Sequence, residues 1–80
     1  NTKSLIEHDV KIGSHCHIGP SVKIGGGSII GDNVMCGMGT IIINKINICP
    51  NVIIGAGSII TKNINKPGTY VTVRNKLRKL

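Results

Sequence analysis

Ile12-Gly13-Ser14-His15-Cys16-His17-Ile18-Gly19-Pro20-Ser21-Val22-Lys23-Ile24-Gly25 decides the fold. An isoleucine–glycine pair returns in it every six residues, and the frame runs on in both directions. Every sixth position from Ile6 to Ile60 is isoleucine in nine cases of ten, and the exception, Cys36, is small and apolar. One residue further on, six of ten positions are glycine: Gly13, Gly19, Gly25, Gly31, Gly37 and Gly55. The frame two residues before each isoleucine (Val10, Cys16, Val22, Ser28, Val34, Thr40, Ile46, Val52, Ser58) holds small or β-branched residues throughout. No residue is inserted or lost between Ile6 and Asn65.

A strict hexapeptide period is the signature of a β-solenoid. A helix would repeat its apolar residues at three and four, and this chain does not. Each segment instead offers a β-branched residue to a pleated, buried surface. Glycine suits the bends, where backbones approach closely or φ turns positive. Three hexapeptides make one triangular coil, so residues 18 apart stack. The expected fold is all-β, a parallel β-helix over residues 1–68 with a little more than three coils. Lys66-Pro67-Gly68 ends the period with turn residues. Residues 69–80 form a C-terminal strand and cap: Thr69 to Val73 alternates as a last strand. Arg74 to Leu80, with leucines three apart, is read as a helix over the open end of the prism. An uncovered end would expose unpaired backbone groups.

Eighty residues bound the chain to one domain. The hydrophobic fraction is 40%, yet Tyr70 is the sole aromatic, as befits a narrow prism filled by aliphatic side chains. The net charge of +7 attracts anions. One aromatic for stacking and no recognition helix argue against nucleic acid as the partner. No apolar run approaches the ~20 residues of a membrane span, and no signal peptide pattern is present. Three cysteines, an odd number, argue against a disulfide framework. Cys16 and Cys36 fall at inward positions as free core thiols, and a cytoplasmic location follows. The repeat is already in register at Ser4, so Asn1 to Leu5 belong to an incomplete coil and an upstream segment is expected.

Columns carry the functional argument. His17, Met35 and Ile53 stack just before inward positions and should point outward. Gly19, Gly37 and Gly55 run beside them, and Pro20, Met38 and Ala56 form the adjoining corner. An exposed, nearly flat apolar strip of this kind marks a partner surface, and a closed homotrimer of prisms is the expected solution. His8 stands at a different corner with Asp9 next to it. A carboxylate beside an imidazole fixes its tautomer and favours its protonated form, which suits a general base. His15 and His17 flank inward Cys16 and should both point outward, about 6.5–7 Å apart.

Glu7-His8-Asp9-Val10-Lys11-Ile12-Gly13 followed by His15-Cys16-His17-Ile18-Gly19-Pro20 resembles the hexapeptide-repeat sugar acetyltransferases. That family includes UDP-N-acetylbacillosamine N-acetyltransferase, sialic acid O-acetyltransferase and perosamine N-acetyltransferase. Ile30-Gly31-Asp32-Asn33-Val34, Cys36-Gly37-Met38-Gly39-Thr40 and Asn51-Val52-Ile53-Ile54-Gly55-Ala56-Gly57-Ser58 extend the resemblance over nearly all of residues 1–69. The resemblance implies a left-handed coil and an acetyl-CoA-dependent transfer to an amino or hydroxyl group of a sugar or nucleotide sugar, with no metal. It implies His8 as catalytic base, Asp9 as the acid that raises its basicity, and His17 near the acetyl-CoA thioester. Backbone groups at Met38 and Ala56 would hold the pantetheine arm. Active sites would form between subunits of a homotrimer, and a nucleotide-sugar-binding domain would precede this segment. Near the C-terminus the family reads Val-Gly-x-Pro-Ala-Lys. Val71-Thr72-Val73-Arg74-Asn75-Lys76 lacks the Gly, Pro and Ala, so contacts to the adenosine end of CoA are expected to differ.

Two other readings share the fold. Three histidines at a subunit interface could bind zinc as a γ-carbonic-anhydrase-like site with an open position, although His8 belongs to another corner than His15 and His17. A β-helix can also serve as a non-catalytic scaffold. Metal analysis separates the first from a transferase, and CoA binding separates the second.

Overall fold

The computed structural model describes residues 3–80, so Asn1 and Thr2, counted above with the incomplete coil, lie outside it. Its strands wind into a left-handed parallel β-helix of about four turns. The first face stacks β1 (Leu5–Ile6), β4 (Lys23–Ile24), β7 (Ile41–Ile42) and β10 (Ile59–Ile60). The second stacks β2 (Lys11–Ile12), β5 (Ile29–Ile30) and β8 (Asn47–Ile48). The third stacks β3 (His17–Ile18), β6 (Met35–Cys36), β9 (Val52–Ile54), β11 (Gly68–Val73) and β12 (Lys76–Lys79). Registers follow the 18-residue step: Ile6 pairs with Ile24, Ile12 with Ile30 and Ile18 with Cys36. The fourth coil corrects the expectation of an unbroken frame to Asn65: Ile64 bridges Ile48 and Thr69 pairs in parallel with Ile53, steps of 16 residues, so this coil is two residues short and Ile64 stacks on the isoleucine column.

The two inward frames make the core. Ile24, Ile30, Cys36, Ile42, Ile48, Ile54 and Ile60 alternate with Val22, Val34, Ile46, Val52 and Ile64, none more than 5% exposed. The hydroxyl residues of the second frame are buried and paired. Ser28 donates to the Ile43 carbonyl at 3.0 Å, Thr40 to the Gly55 carbonyl at 3.3 Å and Ser58 to the same carbonyl at 2.7 Å. Among the described residues, no buried side-chain polar atom lacks a partner, as close-packed interiors require. In the first coil the inward Ile6 and Ile12 remain 44% and 36% exposed, because no described coil stacks below them.

The corners divide two tasks that the sequence assigns together to glycine. From Lys3 to Gly57 every sixth residue takes a positive φ, including Asp9 (φ 62), His15 (φ 59), Asn33 (φ 56) and Lys45 (φ 57). Glycine holds that position at Gly27, Gly39 and Gly57. The glycine column two residues earlier serves close stacking instead: a Cβ on Gly19 would lie 2.9 Å from the Cys36 carbonyl oxygen.

The C-terminal segment corrects one expectation. Residues 76–79 form a strand where a capping helix is expected, and no helix occurs among the described residues. Arg74 (φ 51) and Asn75 (φ 65) are both left-handed and turn the chain tightly between Val73 and Lys76, which pair across the hairpin. Two successive positive φ values match the twist of a two-residue hairpin and end any helical start. The capping role survives in another form, since Leu77 and Tyr70 pack against the buried core. The Tyr70 hydroxyl donates to the Lys66 carbonyl at 2.7 Å.

Candidate active site

His8 and Asp9 form the turn between the first and second faces of the first coil. Asp9 is the left-handed residue of that turn. The backbone amide of Gly27, one coil on, donates to the His8 carbonyl at 3.0 Å, and the Gly26 amide donates to the Glu7 carboxylate at 3.1 Å. The turn is therefore pinned from above, and the imidazole stays exposed. Leu5, Ile6, Glu7, His8 and Gly26 line a shallow depression of about 560 Å³ there. Among the described residues no hydrogen bond joins the His8 and Asp9 side chains; adjacency alone does not orient the imidazole within one chain. Glu7 is the residue that sequence reasoning passed over. The signal was the run Gly25-Gly26-Gly27 stacked 18 residues ahead of it: the Gly25 and Gly27 amides go to backbone carbonyls, and the Gly26 amide between them goes to the carboxylate.

His17 lies on the third face, exposed on β3, in register with Met35 (46% exposed) and Ile53 (45% exposed). The apolar strip on this face is present as expected. A second, shorter one on the first face consists of Ile41 and Ile59 with Ile43 beside them, and Lys23 separates it from Leu5. Met38 and Ala56 stand at the corner between the third and first faces, both exposed. The Met38 carbonyl accepts from Gly57 at 2.8 Å, whereas the Met38 and Ala56 N–H groups make no hydrogen bond among the described residues. Two free donors, one coil apart on an exposed corner, can each receive an amide carbonyl of an extended ligand.

The topology separates the histidines. His8 occupies the corner opposite the third face, so within one prism it points away from His17, although both belong to the first coil. His15 is at yet another corner, between the second and third faces. Among the described residues, no group of three or more His, Cys, Asp or Glu is close enough to hold a metal ion. Cys36 is buried, and burial followed by the nearby Cys16 pushes its thiol up to about 11. It is a core residue without nucleophilic character at neutral pH.

No family model matches the chain, and neither does any curated protein. Solved structures do match. Perosamine N-acetyltransferase from Caulobacter crescentus, as a substituted form in complex with CoA and GDP-perosamine, is 27% identical with a TM-score of 0.90, covering 98% of this chain and 37% of that one. The acetyltransferase domain of PglB from Neisseria gonorrhoeae, in complex with acetyl coenzyme A, is 26% identical with a TM-score of 0.91, covering 100% of this chain and 38% of that one. A maltose O-acetyltransferase from Clostridium difficile is 28% identical with a TM-score of 0.78, covering 99% of this chain and 55% of that one. The structures this chain is similar to are thus hexapeptide-repeat sugar acetyltransferases, and the chain spans well under half the length of the first two.

Proposed function

We propose that this chain is the acetyl-transfer module of an acetyl-CoA-dependent sugar acetyltransferase, acting on an amino or hydroxyl group of a sugar or nucleotide sugar in the cytoplasm. The observation that carries the reading is the separation of His8 and His17: one coil holds both, on opposite sides of the prism. They can face a common substrate only when the corner of one copy meets the third face of another. A homotrimer of side-by-side prisms supplies that meeting three times, with the Met35 and Ile53 strip buried in each contact. The likeness to structures holding CoA, acetyl-CoA and GDP-perosamine supports the choice of substrates. Three unpaired cysteines support the cytoplasmic location.

The chemistry follows from the residues. His8 takes a proton from the acceptor amine or hydroxyl as its nitrogen or oxygen attacks the thioester carbonyl carbon. His17 of the neighbouring copy lies beside that carbonyl and donates toward the oxygen as negative charge develops on it. The carbon–sulfur bond breaks, and the proton held by His8 passes to the departing thiolate. Free CoA and the acetylated sugar result, with no net proton change. Asp9 is the acidic neighbour of that base in the same turn. The Met38 and Ala56 N–H groups receive the amide carbonyls of the pantetheine arm.

The test is kinetic. In the chain together with the acceptor-binding segment it works with, His8→Ala should lower kcat about 10²–10⁴-fold while CoA affinity stays within about twofold of wild type. Asp9→Asn should cost less than His8→Ala, because it leaves the base itself in place. Near-normal turnover by His8→Ala with a sugar acceptor would overturn the assignment.

A further inference from the structure

The glycine column of the third face does not end with Gly55. Gly19 stands opposite Gly37, and Gly37 opposite Gly55, by the register of β3, β6 and β9. Val71 comes next: a Cβ on Gly55 would touch its Cγ2 at 3.3 Å. Arg78 pairs with Val71 across the hairpin and is therefore the last rung of the same column. Leu77 packs inward on the core, so strand alternation turns Arg78 to the outer side, where it is exposed. Four inter-strand steps of about 4.8 Å separate the rung of Gly19 from that of Arg78, roughly 19 Å in all.

Charge is graded along the same axis. Glu7, Asp9 and Asp32 are the only acids and lie in the first two coils, where Lys3, Lys11 and Lys23 balance them. From Lys45 onward seven cations meet no acid, and Arg74, Lys76, Arg78 and Lys79 belong to the terminal hairpin. In a solenoid, order in sequence is order along the axis, so the whole net charge gathers at the end remote from His8 and His17.

We propose that Arg78 binds the phosphates at the adenosine end of CoA, holding that end of the ligand at the far rung of the glycine column. The inference rests on the acetyl-CoA reading above. With the thioester at the level of His17, an extended pantetheine arm is as long as four to five residues of extended chain, about 15 Å. It runs beside the part-exposed glycines Gly37 and Gly55, passes Val71, and brings its phosphates within reach of a guanidinium at about 19 Å. Arginine suits them because its planar fork meets two phosphate oxygens at once.

The test is calorimetric titration of the chain with CoA and, separately, with pantetheine, which has the arm and no phosphate. Wild type should bind CoA the more tightly. Arg78→Ala should weaken CoA about tenfold and leave pantetheine unchanged, with an unaltered thermal melt, and Arg78→Lys should recover part of the loss. CoA bound by Arg78→Ala as tightly as by wild type would overturn the inference alone, and so would equal weakening of both ligands. Wild type that binds neither ligand would overturn the acetyl-CoA reading itself.

Discussion

A Cβ on Gly37 would stand 2.6 Å from the backbone nitrogen of Ala56, one coil further along the prism. Backbone cannot yield as a flexible side chain can, so the contact is settled by moving a whole coil. Gly37→Ala is expected to cost about 2–4 kcal/mol. Gly57→Ala meets open space and bears only its φ of +72, for which about 1–2 kcal/mol is expected. Urea unfolding of the two variants, compared at equal slope, checks the order. Equal losses would mean that conformational freedom alone explains the glycines.

Position within the repeat should matter less than position within the stack. Ile42 is 1% exposed and Ile6 is 44% exposed, although both fill the same frame. Ile42→Ala should destabilise by about 2–5 kcal/mol, the transfer loss plus a cavity that two flanking coils cannot close. Ile6→Ala should lose less than about 1 kcal/mol, since half its area already faces water. Thermal denaturation followed by circular dichroism distinguishes them.

The proposed trimer makes a separate demand. Met35 and Ile53 are half-exposed neighbours on the third face, and burying two lysines there without partners is unfavourable. Met35→Lys with Ile53→Lys should reduce a light-scattering mass of three 8.4 kDa chains to that of one. A double variant that stays trimeric would move the contact to another face, for which the first-face strip is the next candidate.

Alkaline pH should expose the buried thiol. The Cys36 pKa rises from 9.0 to about 11 in the fold, so the folded chain keeps a proton that the unfolded chain releases. Stability is then complete below pH 9 and falls as the pH climbs toward 11, by about 2–3 kcal/mol at most. Cys36→Val should remove that part of the slope while other alkaline transitions remain. A wild type and variant with parallel stability curves between pH 9 and 11 would refute the origin.

The fold was legible because the isoleucine frame has one physical explanation: a side chain every sixth residue must point to one place. The inward and outward assignments of Val22 to Ile60 follow from it directly, whereas the shortened step that stacks Ile64 on Ile48 does not show in it. The positive-φ column was hidden because its residue types are mixed: Asp9, His15 and Asn33 are types that tolerate the left-handed region, but Ser21 and Lys45 in the same column are not marked for it. The segment from Arg74 misled for a related reason. Leucines three apart suggest a helix, but the Arg74-Asn75 turn decides the structure, and Arg-Asn is a weak signal for it. Of the candidate site, the columns of His17, Met38 and Ala56 could be read from spacing alone. That His8 faces away from His17 required the order of the three faces.

The closing hairpin also governs what the prism does beside its own kind. A stack of parallel coils has no natural stopping point, and any bare terminal strand is a template on which another molecule could continue the sheet. Here β11 is met by a strand running the opposite way, and the rim it presents is Lys76, Leu77, Arg78 and Lys79. Cations along an edge strand repel an incoming copy of the same edge. Reversed direction and like charge together oppose continuation of the third face by another molecule at this edge.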